Sequence, residues 1–401
     1  MTIVTTSTTI PHGFKALPLS ILQLSLPAVL KCGQSFRWHC FEELSEYRLC
    51  LHDRVVCLRQ TANHLFYRAL FPDPQPTEGQ LSTKDNETLV WLRDYFQLDV
   101  DLLKLYDEWS LKDPVFRNIK ERFSGIRMLR QDPWENLISF ICSSNNNISR
   151  ISKMVQNLCK EFSPPILALT DPGSTTLTQY HPFPSPAALG QPEVTSKLRS
   201  LGFGYRAEFI QKTAHMLVDI HGDGSEEWLL NLRQSSTEHA RNELLKFMGV
   251  GRKVADCILL MSLDKKEVIP CDTHVHQIAV KYYGVKSSPG RSTMSPKLYQ
   301  EINTRLVNVW GQYAGWAHSV LFTSDLKSFS SYGVSSTPSP QTLLKKRPRI
   351  VREIQTSTVH DSPFPLEDVA HQSQTEIFVS SHTVSETQSS VAERVKRRRR
   401  Q

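Results

Sequence analysis

The apolar pattern of this chain changes period once, and that change decides its architecture. Between residues 34 and 70, SFRWHCF, YRLCLHDRVVCLRQ and HLFYRAL alternate apolar with polar positions. They are rich in aromatic and β-branched side chains, as strands with one buried face are. Short polar breaks between them predict an antiparallel sheet. From Asn86 the period lengthens, and ETLVWLRDYF and DVDLLKLYDEW place apolar residues three and four apart, as amphipathic helices do. The helical period continues through residues 115–325, in segments such as ISRISKMVQNLCKEF, YRAEFIQKTAHMLVDI and HVHQIAVKYY. The Pro/Ser/Thr-rich stretch 163–189 reads as a loop between two helices. The fold class is α+β. An antiparallel-sheet N-terminal domain is expected over residues 1–115, an all-helical domain over 116–326, and a basic, disordered tail over 327–401.

The tail reading rests on composition. After Phe329 the chain becomes Ser/Thr/Gln-rich, with too little apolar surface to offset the entropy of ordering. Residues 340–401 hold 11 Lys/Arg and 7 Asp/Glu, or +4 of the total +7, so the other 339 residues carry +3. The body is only mildly basic, and bulk charge alone is no argument for nucleic-acid binding. The clusters KKRPR (345–349) and VKRRRRQ (395–401) read as nuclear-import signals; nucleic-acid arms and plain solvating charge are their other uses. No stretch reaches the roughly 18 apolar residues of a membrane span. The N-terminus lacks the basic start and apolar run of a secretory signal. Cys32, Cys40, Cys50, Cys57, Cys142, Cys159, Cys257 and Cys271 form no C-x-x-C pair and no zinc or cluster spacing. We therefore expect reduced thiols in an intracellular protein, with no metal and no cofactor.

The sharpest chemical signal is ARNELLKFMGVGRKVADCILLMSL, which reads as helix, tight turn, helix. Gly249 and Gly251 permit the positive φ angles of a short turn. Turn amides beside a helix N-terminus suit one phosphate, though an ordinary corner between helices looks the same. Lys253 falls in the first turn of the second helix, where the helix dipole disfavours a cation. Desolvated there, its amine would become a nucleophile; solvated, it is a plain surface lysine. In VIPCDTHVHQIAV, Asp272 reads as a helix N-cap. A carboxylate at that place can also stabilise positive charge developing on a sugar.

A helix-hairpin-helix turn, its lysine, and an aspartate nineteen residues on resemble the helix-hairpin-helix superfamily of base-excision DNA glycosylases. GQSFRW (33–38), LRQDPWENLISFICSSNNNISRI (129–151), LGFGYRA (201–207), VGRKVADCILLMSLDK (250–265) and YAGWAHSVLF (313–322) are similar to motifs of the 8-oxoguanine DNA glycosylase/AP lyase family. The resemblance covers about residues 15–325. It implies a strand-rich domain beside a helical one, with the active site in the cleft between them. It also implies flipping of 8-oxoguanine, and of formamidopyrimidine-guanine, out of the duplex. A lysine then attacks the sugar C1′, and β-elimination through the Schiff base nicks the strand.

By that resemblance Lys253 is the nucleophile and Asp272 its acidic partner. Gly33, Cys257, Pro270, His318 and Phe322 form the base pocket. In it the Gly33 carbonyl accepts from the N7–H of the lesion, and Cys257 and Phe322 sandwich the flipped ring. Core packing alone would also explain an apolar pair. Asn145, Arg150 and Arg206 match readers of the orphaned cytosine, and Tyr205 matches the wedge that fills the stack. His274 and the amides of Gly249 and Gly251 would hold phosphates, and Val250 would shape the turn. The implied partner is double-stranded DNA with oxidised guanine opposite cytosine, bound by a monomer in the nucleus. Relatives with an iron–sulfur cluster carry four cysteines after the helical domain, and Cys271 is the last one here.

Two positions depart from the pattern. Met248 stands where the superfamily usually has proline, and His318 where the family usually has glutamine. A neutral imidazole offers one donor and one acceptor. With an ordinary titration near pH 6.5, His318 would lose its acceptor below about pH 6. Other readings are the same chemistry with altered base preference, a non-catalytic binder of DNA lesions, and a scaffold acting through its tail.

Overall fold

The structure, a computed structural model, describes residues 10–286 and 294–333. Both basic clusters of the tail lie outside those residues. Five strands form the N-terminal sheet: β1 (Lys15–Pro18), β2 (His39–Phe41), β3 (Glu46–Cys50), β4 (Val55–Gln60) and β5 (His64–Leu70). They are ordered β1-β5-β4-β3-β2, and every pair is antiparallel. In this register Leu49 faces Val56 and Leu58 faces Tyr67. Tyr47, Leu49, Val56, Leu58, Leu65 and Tyr67 thereby share a core with Leu92 and Phe96 at the end of helix Glu78–Tyr95. The strand expected over SFRWHCF shortens to His39–Phe41, because Arg37 leaves the ladder to form a two-pronged ion pair with Glu135 (2.9 and 2.7 Å).

The stretch 163–189 is not a plain loop. It contains strands β6 (Leu167–Thr170) and β7 (Leu177–Tyr180), paired antiparallel, and the short helix Pro186–Leu189. This hairpin covers the second face of the sheet, where Tyr180 and partly buried Leu167 and Leu169 meet Phe14, Val55, Cys57 and Phe66. Its burial comes from residues more than a hundred positions away, which local composition does not reveal.

Apart from those that pack on the sheet, the helices divide between two apolar cores. One joins Leu137, Ile138, Val155, Ile210, Ala214, Ala255 and Ile258. The other joins Trp109, Phe116, Ile269, Ile278, Trp310 and Trp316. Packing therefore links both sides of the 115/116 boundary, since Trp109 and Phe116 share a core with the last helices. Helix Arg252–Ser262 runs along the seam, giving Cys257, Ile258 and Leu259 to one core and Leu260 to the other. The order continues past residue 326 for physical reasons. Phe329 is buried, Tyr332 shares a 2.7 Å hydrogen bond with Ser25, and Arg122 donates to the Tyr332 carbonyl.

Candidate active site

Five segments meet at the seam, and helix Pro133–Ile141 is one of them, through Phe140. Helix Arg252–Ser262 brings Lys253 and Cys257, the cap of helix Thr273–Tyr283 brings Asp272, and Pro270 precedes it. Helix Ala314–Asp325 brings His318 and Phe322, and the N-terminal region contributes Cys32, Gly33 and Gln34. All seven catalytic and pocket residues expected from sequence line one narrow slot of about 60 Å³. The slot opens into an outer groove of about 790 Å³, and Gly33, Phe140, Lys253, Asp272 and Phe322 line both. The slot lies mostly between helices; among the described residues only 32–34 reach it from the N-terminal region.

Lys253 sits two residues past the hairpin, half-buried, with Nζ 5.2 Å from the centroid of the Phe140 ring. Phe140 is itself buried on helix Pro133–Ile141. Burial pushes the Cys257 thiol up to about 11, and the nearby Lys253 ammonium only partly offsets this. Cys257 therefore stays a neutral thiol, fit for packing against a ring and not for attack. Asp272 Oδ1 accepts from the amides of His274 and Val275, both at 2.9 Å. The cap reading and the site reading thus coincide: one oxygen holds the helix start, and the carboxylate lines the slot.

Gly33 adopts φ +89°, and a methyl added to it would lie 2.8 Å from Ile148 Cδ1. Both facts favour glycine. Gln34 fixes this loop: its side chain accepts from Leu129 N (2.9 Å) and donates to Arg127 O (3.0 Å), and its carbonyl accepts from Gln131 (2.9 Å). Sequence reasoning missed Gln34 and Phe140 as site residues, although both lie within motifs it had singled out.

His318 corrects the expected titration. It is 6% exposed, and Nε2 has no hydrogen-bond partner among the described residues. Burial pushes its pKa down to about 4, with Asp272 pulling upward and His274 and Lys253 pushing further down. The imidazole stays neutral at pH 6, so no loss of acceptor is expected there. The unfolded chain, titrating near 6.5, takes up the proton first. His318 therefore stabilises the fold above about pH 6.5, and that contribution, on the order of 3 kcal/mol, is lost as pH falls toward 4. The melting temperature of His318→Gln should consequently fall less between pH 7 and pH 5 than that of the wild type. Parallel declines would mean that the ring is reached by solvent.

The second cluster surrounds the segment 143–147, between a turn at 142–145 and the cap of helix Ile148–Phe162. Asn145 holds φ +46°. Arg206 is buried and donates to the carbonyls of Ser144 and Asn145, and the Tyr205 hydroxyl donates to Ser144 O (3.2 Å). Arg150 is exposed, and among the described residues its guanidinium has only a 3.4 Å contact, to Gly202 O. Tyr205 is 50% exposed, with the Arg206 guanidinium 4.5 Å from its ring centroid. In the hairpin only Gly249 has positive φ (+81°); Gly251 is the extended cap of the following helix, with open space where a side chain would be. Val250 is buried, and its amide donates to Phe247 O (3.2 Å). His274 lines the outer groove and lies 3.1 Å from Asp325 Oδ2, without the alignment of a hydrogen bond. Among the described residues no group of three or more His, Cys, Asp or Glu is arranged to hold a metal, and no helix is long and apolar enough to cross a membrane.

Residues 16–137 match the family described as 8-oxoguanine DNA glycosylase, N-terminal domain. Residues 138–304 match the HhH-GPD superfamily base excision DNA repair proteins. The chain is 33% identical to an N-glycosylase/DNA lyase of Saccharomyces cerevisiae, over 85% of this chain and 93% of the yeast protein. It is 36% identical to the N-glycosylase/DNA lyase OGG1 of Arabidopsis thaliana, over 77% and 80%. Among solved structures it resembles a Clostridium acetobutylicum 8-oxoguanine glycosylase/lyase in complex with double-stranded DNA containing cytosine opposite 8-oxoguanine. That likeness has 27% identity and a TM-score of 0.60, covering 75% of this chain and 91% of the other. A sheet, a helical hairpin and a lysine-bearing slot, joined to these likenesses along most of its length, mean that the chain belongs to the 8-oxoguanine DNA glycosylase/lyase family of the HhH-GPD superfamily.

Proposed function

We propose that the chain excises 8-oxoguanine, and formamidopyrimidine-guanine, from double-stranded DNA opposite cytosine and then nicks the strand by β-elimination. The observation that carries this is the slot, where Lys253 and Asp272 meet Gly33, Cys257, Pro270, His318 and Phe322. In this reading a flipped base enters from the outer groove. Lys253 Nζ attacks C1′, the bond from C1′ to the base breaks, and the base leaves with its electron pair and takes a proton. Asp272, negative beside the sugar, stabilises the positive charge that develops there. The nitrogen lone pair then forms the C1′=N bond of a Schiff base as the C1′–O4′ bond breaks and O4′ takes a proton; loss of a C2′ proton expels the 3′ phosphate, and water releases the lysine. The experiment is incision of duplexes carrying 8-oxoguanine opposite each of the four bases. Equal rates with all four, or no incision, would remove this reading.

Discrimination is assigned to a few groups. The Gly33 carbonyl accepts from the N7–H that 8-oxoguanine has and guanine lacks; guanine would leave a buried acceptor unmatched, at about 1–3 kcal/mol. Asn145, Arg150 and Arg206 read cytosine, whose O2 and N3 accept from arginine. Arg206 is already held by two carbonyls, so Arg150, nearly free, is the reader able to move onto the base. Arg150→His should narrow the ratio of rates for cytosine over adenine by about tenfold, the scale of one good base contact. An unchanged ratio takes Arg150 out of this role.

His318 faces the lesion in place of the family's glutamine. Its unpartnered Nε2 supports a contact with the base edge. His318→Gln should be at least as active as wild type at pH 7.5, since the amide offers a donor and an acceptor side by side. A markedly slower variant would mean that His318 does not touch the base. The basic clusters at 345–349 and 395–401 support entry into the nucleus.

A further inference from the structure

Helix Arg206–His221 carries more than the residues already discussed. Tyr205 at its cap, Phe209 and Thr213 follow at four-residue spacing, so they fall on one stripe. Thr213 is fully buried and its hydroxyl donates to the Met248 carbonyl (2.9 Å). Phe209 presses on the next residue of the hairpin: a methyl added to Gly249 would lie 2.6 Å from its Cδ2. The same ring meets Tyr205 edge-on, with centroids 5.5 Å apart at 63°. Tyr205 is thus held between the Arg206 guanidinium and the Phe209 ring while half its surface stays exposed. Phe209 is half-buried. It packs against the helical core, and its ring spans from the hairpin to Tyr205.

We propose that Phe209 is a positioning residue that couples the hairpin's seat on the phosphate backbone to the placement of Tyr205 in the base stack. This rests on the reading of Tyr205 as the wedge. A half-exposed side chain that must enter a stack loses rotamer freedom on binding, and an aromatic neighbour that fixes it beforehand lowers that loss. Gly249 serves the same contact, because any side chain there would displace the ring.

The test is a double-mutant cycle on Tyr205→Ala and Phe209→Ala, with Phe209→Tyr as the conservative variant. Unstacking is read from 2-aminopurine fluorescence beside an 8-oxoguanine in a duplex, together with the single-turnover excision rate. Phe209→Ala should lower unstacking and excision by about tenfold, and adding it to Tyr205→Ala should lower them no further, as expected when one residue acts through the other. Phe209→Tyr should restore both, and all rates are compared below the melting range of each variant, because Phe209→Ala also loses packing against the core. Losses that multiply in the double variant, or a Phe209→Ala protein that unstacks normally, would overturn the coupling. The wedge reading fails separately: Tyr205→Ala alone would then unstack the lesion as the wild type does.

Discussion

Lys253→Gln should abolish borohydride trapping and strand nicking while binding to lesion-bearing DNA remains largely intact. Glutamine is close in length but carries no nucleophilic amine, so no bond to C1′ can form. The expected loss of rate is more than about a thousandfold, the scale on which removal of a covalent catalytic group is felt. Folding should be little affected. Lys253 is half-buried and touches the Phe140 ring and the Cys257 thiol, contacts that an amide of similar length retains in part. Reduction with borohydride traps only an imine, so the assay reads the chemistry and not the affinity. A reduced adduct formed by Lys253→Gln at the wild-type rate would assign the attack to another amine. Melting curves of the two proteins separate a lost nucleophile from a lost fold.

How much of this was legible beforehand follows from how local each signal is. The hairpin around Gly249 and the cap at Asp272 are written within a few residues, and the structure has both where the pattern puts them. The helical period read from Asn86 begins earlier, at Glu78, in a polar stretch whose first turns show no apolar stripe. The slot is different. Gly33, Lys253, Asp272 and His318 stand far apart in the chain, and only resemblance to a family brought them together before the fold did. Strand β1 is four residues of an edge, KALP, too short for a period to register. Strands β6 and β7 were hidden in a Pro/Ser/Thr-rich stretch because their apolar partners lie on β4 and β5. The acidity of His318 was misjudged for the same reason. The ring's ordinary value is a property of the residue, but its burial is a property of the assembled seam. Gly251 has open space and no positive φ, and glycine in a turn motif does not distinguish the two.

The largest effect on stability is expected at Asp256, a residue that faces no substrate. It lies one turn beyond Lys253, on the side of that helix turned away from water, and is fully buried. Arg241, on the helix before the hairpin, donates to Oδ1 at 2.7 Å. Tyr299, on helix Pro296–Trp310, donates to Oδ2 at 2.6 Å. The same Tyr299 oxygen accepts from the amide of Cys271 at 3.0 Å, immediately before Asp272. One carboxylate thus ties together both arms of the hairpin and the segment that presents Asp272. Asp256→Ala leaves the Tyr299 hydroxyl without its acceptor and Arg241 without its counter-ion, and breaking a buried pair from one side costs about 3–5 kcal/mol. That is a large part of the margin of an ordinary fold, and the melting temperature should drop by roughly 10 °C. Arg241 is 19% exposed in its side chain and can be rehydrated, so Arg241→Ala should cost less than Asp256→Ala. Excision should slow below the melting range as well, because Lys253 and Asp272 are held in register through this carboxylate and neither can compensate for a shift of the other. An Asp256→Ala protein that melts close to wild type and excises at the same rate would mean that the hairpin is held by apolar packing alone.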